Sequence, residues 1–323
     1  MIRAIAAVAG LTTAWLAYRV RRNRSLERPP IRDADGAPFP TIAVTLSDGE
    51  VVDALDTGTG PALLLIPGAD GIRETWRYQV VDLAREYRVV SADLRTGISA
   101  DHTFDRLALD AAEVCAARGV DSCVVVGQSL GGAIAMRLAA SRPELVRGVV
   151  ISNSLARVSY EAVGLNRTLL IPVAMATSRY LPTVLAAATG RLWNRLCVWI
   201  FDSSPGGGRI IDYMLWTGPR TVPPAVSRAR VRLLAAEDLG PELATIRVPA
   251  LVVKGPLDTY LPVSWARDIA ARIPDAVYEE VPGTGHCSHI SMPEVFNRIL
   301  LEWLSRIDEA APAVQRPGKE AEA

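Results

Sequence analysis

Three residue types, set far apart along this 323-residue chain, could together do nucleophilic chemistry: a serine, an aspartate and a histidine, each in a turn rich in glycine or proline. The serine is Ser129, in Gly127-Gln128-Ser129-Leu130-Gly131. Its hydroxyl is a poor nucleophile until a base removes the proton. Only His102, His286 and His289 are available as bases. His286 sits in PGTGHCSH, directly after the strand-like run AVYEEV, and its position favours it. His289, three residues on, is expected to be a packing or surface residue, and His102 to lie in the polar loop RTGISADHT. A histidine base needs a carboxylate to hold its tautomer and stabilise the imidazolium. Asp258, in GPLDTYLP after ALVVKG, is the expected partner; Asp275, Glu279 and Glu280 compete, but they lie before or within the next strand. The bland alternatives are Ser129 as the cap of a glycine-permitted helix start and Asp258 as an ordinary turn aspartate.

The elements that must position these residues are legible as periodicity. The runs TIAVTL (41–46), ALLLIPG (62–68), YRVVSADL (87–94), SCVVVGQ (122–128), VRGVVISN (146–153), ALVVKG (250–255) and AVYEEV (276–281) read as strands. The central ones are continuously apolar, as strands buried on both faces of a parallel sheet are. Helical patterns such as TFDRLALDAAEVCAARG and GGAIAMRLAASRPEL lie between them and end at Gly or Pro. Strands alternating with helices predict an α/β layered fold with right-handed crossovers. Ligand sites in such sheets lie at the carboxyl ends of the strands, which is where Ser129, Asp258 and His286 each fall. A serine on a sharp strand-to-helix turn takes strained backbone geometry, and flanking glycines let strand and helix approach.

With these motifs in order, the sequence resembles the α/β-hydrolase superfamily from about residue 50 to about residue 305. The segments that carry the resemblance are LLLIPGADG, DLRTGIS, VVVGQSLGG, VVKGPLDTYLP and VPGTGHCSH. It implies a mostly parallel sheet of about eight strands with helices on both faces, and a triad of Ser129, His286 and Asp258. It implies neither metal nor cofactor. It also implies an oxyanion hole made by the backbone N–H groups of Leu130 and Ala69. Three features depart from the family pattern. Pro67-Gly68 stands where His-Gly is usual, Asp70 places a carboxylate beside that loop, and Arg95-Thr96-Gly97-Ile98-Ser99 replaces RGxGxS. Asp70 is expected to face solvent or cap a helix, and the 95–99 loop to be structural.

Composition bounds the rest. The 35 basic and 35 acidic residues cancel, which argues against a nucleic-acid partner, and half of the chain is apolar, which excludes wholesale disorder. Of the basic residues only Lys254 and Lys319 are lysines, a skew to which no mechanism is attached. Cys115, Cys123, Cys197 and Cys287 form no CxxC pair, so reduced thiols in a reducing compartment are expected. Residues 1–24 hold an uncharged stretch, Ala4 to Tyr18, followed by Arg19, Arg21, Arg22 and Arg24. This reads as a membrane anchor that leaves the rest of the chain in the cytoplasm, or else as an amphipathic helix. Residues 25–40 read as a linker and 311–323 as a disordered tail. The core is then 41–155 plus 240–310, and the long gap after the sixth core strand predicts a helical cap over 156–239. That insertion carries Trp193, Trp199, Trp216, Met175 and Met214, which suit either a hydrophobic substrate or the cap's own packing. The expected activity is hydrolysis of an ester-like bond in a hydrophobic or lipid-derived small molecule. The alternatives are another triad reaction of the fold (thioesterase, carbon–carbon hydrolase, perhydrolase) or a binding protein without turnover.

Overall fold

Strands whose every residue is apolar are stable only where both sheet faces are covered. In the computed structural model, which describes residues 30–98, 102–158, 206–210, 213 and 224–310, eight strands form one sheet. They are β1 (Ile42–Thr45), β2 (Val51–Thr57), β3 (Ala62–Ile66), β4 (Arg88–Ala92), β5 (Cys123–Gln128), β6 (Val146–Ser152), β7 (Ala250–Lys254) and β8 (Val277–Glu280). Their spatial order is β1-β2-β4-β3-β5-β6-β7-β8. β2 pairs antiparallel with β1 and β4, and every other pair is parallel.

The period of two along the central strands divides the core between the faces. Leu64, Ile66, Val125, Val149, Ile151 and Val252 point to one side, where α2 (Phe104–Ala117), α3 (Leu130–Ser141) and α6 (Val263–Arg272) pack. Leu63, Leu65, Val124, Val126, Val150 and Leu251 point to the other. There α1 (Arg77–Leu83) contributes Val80 and Leu83, and α8 (Pro293–Ala310) contributes Phe296, Leu300 and Trp303. Thr103 starts α2 by accepting the Arg106 N–H on its hydroxyl.

The strand absent from the sequence reading is β2. Its run VVDALDT is broken by two aspartates, a residue type depleted in strands. Both carboxylates meet arginines instead of water alone: Asp56 takes Arg88 and Arg118, and Asp53 lies 3.7 Å from Arg73. The stretch read as a linker is also more ordered than expected over its described part. Arg32 bridges to Pro38, and Ile31 is buried among Leu55 and Leu63.

After β6 the chain enters the long insertion and returns through α4 (Pro224–Ala236) and the short α5 (Gly240–Leu243). Its two ends are pinned together, since the Leu239 N–H donates to the Ala156 carbonyl at 2.9 Å and Arg157 bridges to Asp238. The expected anchor, the tail and most of the insertion, including Trp193, Trp199, Trp216, Met175 and Met214, lie outside the described residues. Among the described residues, no helix is long and apolar enough to cross a membrane.

Candidate active site

Ser129 occupies the single residue between β5 and α3, with φ 55° and ψ −118°. A side chain with Cβ holds such a conformation only when its surroundings enforce it, at a cost of about 1–3 kcal/mol. Here the enforcing groups are backbone and hydroxyl. The Ser129 N–H donates to the Ser152 carbonyl at 2.9 Å, and the Ser129 carbonyl accepts the Ser154 hydroxyl at 2.6 Å. The flanking glycines are required by contact. A Cβ on Gly127 would lie 2.1 Å from the Gly131 carbonyl oxygen, and one on Gly131 would lie 2.2 Å from that of Ile66. Ser129 caps nothing: its side chain makes no hydrogen bond to the helix start. The geometry is that of a nucleophile elbow.

Asp258 and His286 come together from two different crossings of the sheet. His286 Nδ1 lies 2.9 Å from Asp258 Oδ2. Asp258 is 4 % exposed. Its other oxygen accepts the Tyr260 and Leu261 N–H groups at 2.8 and 3.0 Å, which fixes the carboxylate plane. Lys254, at the end of β7, donates to the same Oδ2 as the histidine and also to the Leu261 carbonyl at 2.9 Å. Burial pushes the Asp258 carboxyl up, but His286 and Lys254 outweigh it and hold it at about 2, so it stays ionised. His286 is brought to the elbow by Gln128, whose amide donates to the His286 carbonyl at 3.1 Å. The Tyr260 ring packs against the imidazole at 5.1 Å between centroids.

The other candidates part company. His289 lies in α7 (Ser288–Ser291), fully buried against Trp76, with its Nε2 on the Thr75 hydroxyl at 3.0 Å. Burial, with His286 nearby, depresses it to about 3, so it is a neutral packing residue. His102 stands apart, its ionisation depressed by burial and by Arg230 and Arg95. Asp275 turns the chain ahead of β8 with φ 55°, and Glu280 meets Arg267 and Tyr278 on the edge strand. Glu279 lies on the same strand, beside Val253.

The 66–71 loop runs against the elbow: a Cβ built on Gly68 would fall 3.5 Å from that of Ser129. The next N–H is that of Ala69. Leu130 opens α3, and a first-turn N–H has no acceptor within its own helix. Ala69 and Leu130, the two expected oxyanion donors, thus lie on the two segments that meet at Ser129. Asp70 corrects an expectation, because it neither faces solvent freely nor caps a helix; it is half-buried and accepts the Tyr213 hydroxyl. The loop after β4 is held by Glu50, which accepts the Thr96 and Gly97 N–H groups, while Arg95 pairs with Asp110.

Residues 63–299 match the family described as the alpha/beta hydrolase family. The chain belongs to it. This α/β hydrolase is 30% identical over 263 residues to the "Putative carbamate hydrolase RutD" of Azorhizobium caulinodans, covering 78% of this chain and 94% of that one. It is 28% identical over 268 residues to the 2-hydroxy-6-oxo-6-phenylhexa-2,4-dienoate hydrolase of Burkholderia cepacia, covering 77% and 90%. Among solved structures, an esterase from Thermogutta terrifontis superposes with a TM-score of 0.64 at 25% identity, covering 83% of this chain and 99% of that one.

Residues that sequence reasoning missed surround the triad. Lys254 carried a signal, as the lysine ending an otherwise apolar strand. Asn153, with φ 43°, accepts the Gly255 N–H on its side chain and donates to the Ser288 hydroxyl, joining the ends of β6 and β7 to the His286 loop. Its only sequence signal was its place at a strand's carboxyl end. Among the described residues no group of three His, Cys, Asp or Glu side chains is arranged to hold a metal. Cys115 and Cys123 are buried thiols.

Proposed function

We propose that this α/β hydrolase cleaves ester-like bonds of hydrophobic substrates through an acyl-enzyme on Ser129. The observation that carries the reading is the constrained Ser129 turn beside a His286 whose Nδ1 is bonded to a buried, ionised Asp258. Ser129 Oγ attacks the carbonyl carbon while His286 takes its proton on Nε2. Asp258 keeps the Nδ1–H tautomer in place and stabilises the imidazolium. The carbonyl oxygen gathers negative charge against the N–H groups of Leu130 and Ala69. His286 then returns the proton to the leaving group. Water, activated by the same histidine, releases the acid and regenerates Ser129.

The likeness to an esterase at 25% identity supports ester chemistry, while the relatives named for a carbamate and for a dienoate mark the neighbouring reactions of the family. Preference for apolar acyl groups is supported by the aromatic and methionine content of residues 156–239 and by Leu257, which is exposed beside Asp258. The apolar stretch at residues 4–18, with the arginines that follow it, supports work at a membrane surface on the cytoplasmic side. The test is a series of 4-nitrophenyl esters from acetate to dodecanoate. Each buried methylene stabilises by about 0.8 kcal/mol, so kcat/KM is expected to rise about tenfold or more from acetate to octanoate. Faster turnover of acetate than of every longer ester would contradict the hydrophobic-substrate reading.

A further inference from the structure

Two residues from the insertion between β6 and β7 grip the loop that carries the Ala69 N–H. Arg230, fully buried in α4, donates to the Ala69 carbonyl at 3.1 Å and also to the Leu94 and Arg95 carbonyls at 3.1 and 2.9 Å. Tyr213, buried beside Ile72 and Ile290, donates its hydroxyl to Asp70. The Thr75 hydroxyl lies close to the same phenol and is itself hydrogen-bonded to His289 Nε2 at 3.0 Å. A row of polar contacts thus runs from the helix beside His286, through Tyr213 of the insertion, to the loop beside Ser129.

Its terminus explains how a carboxylate is tolerated there. Asp70 follows Ala69 directly, and a negative charge beside an oxyanion donor opposes the charge that develops on the substrate oxygen. We infer that Tyr213 is a positioning residue of this hydrolase: by holding the Asp70 carboxylate it keeps that charge away from the oxyanion and makes the loop's geometry depend on docking of the inserted segment. The inference rests on Ser129 being the nucleophile and Ala69 an oxyanion donor.

The test compares wild type, Tyr213→Phe, Asp70→Asn and the double variant. The readouts are the rate of Ser129 phosphonylation by a fluorophosphonate, kcat and KM for 4-nitrophenyl butyrate, and the thermal midpoint. Tyr213→Phe is expected to slow phosphonylation and kcat by about tenfold to a hundredfold with KM nearly constant, the scale of a small misplacement at a reacting centre. The same substitution in the Asp70→Asn background is expected to cost less than about threefold, because the charge it would release is gone. Equal costs in both backgrounds, or none in either, would overturn the inference while leaving the serine mechanism standing. Absence of any wild-type adduct would overturn both. Should Tyr213→Phe fail to fold, Thr75→Val takes its place, and a rate loss equal in both Asp70 backgrounds again overturns the inference.

Discussion

The chemistry of this site is decided by a few atoms around Asp258. Its Oδ2 receives both His286 Nδ1 and Lys254 Nζ, and its Oδ1 receives two backbone N–H groups, so a carboxylate cut off from water has its charge answered on every side. Removing one partner of such a buried pair leaves the other uncompensated, at a cost of about 3–5 kcal/mol. Lys254→Met is therefore expected to lower unfolding free energy by that amount in urea titrations; a variant as stable as wild type would show that Lys254 is dispensable to the carboxylate. Sequence spacing singled out Ser129, Asp258 and His286 because each follows a readable strand. It missed Lys254 and Tyr213 because their partners, Asp258 across a turn and Asp70 across 143 residues, are set by tertiary packing.

The elements explain why three residues so distant in sequence can act together. β5, β7 and β8 are parallel members of one sheet, so the loops that leave their carboxyl ends share one edge. The elbow adds its own constraint, since α3 approaches β3 closely enough that Gly131 has no room for a side chain. Gly131→Ala would force backbone to move where β3 meets the 66–71 loop, at about 1–3 kcal/mol. The expected result is a lowered thermal midpoint together with slower Ser129 labelling; a change in neither would mean that the helix can back away freely. Seven of the eight strands were legible, because double-sided burial writes itself as unbroken apolar runs. β2 was not, because Asp53 and Asp56 are strand residues whose arginine partners come from other elements.

At the scale of the whole molecule, the neutral buried histidine couples stability to pH. His289 is held at about 3, against about 6.5 in an unfolded chain. As pH falls below about 6.5 the unfolded state binds a proton that the folded state refuses until near pH 3, so stability declines with falling pH through that window. Depression of His102 acts in the same direction. The expected loss from His289 between pH 7 and pH 5 is about 2 kcal/mol. Chemical denaturation of wild type and His289→Gln at both pH values checks it; an equal slope in the variant would remove His289 as the cause. At this scale the sequence was legible in its layered architecture. The gripping of the 66–71 loop by Tyr213 and Arg230 was not, since neither residue stands in a motif.

The central claim is that Ser129 is a nucleophile activated by His286. Intact-mass measurement after treatment with a fluorophosphonate, on wild type, Ser129→Ala and His286→Ala, tests it most directly. A single adduct is expected on wild type, none on Ser129→Ala, and labelling of His286→Ala slowed by about a hundredfold or more. A folded wild type that takes no adduct, or an adduct that persists in Ser129→Ala, would contradict it.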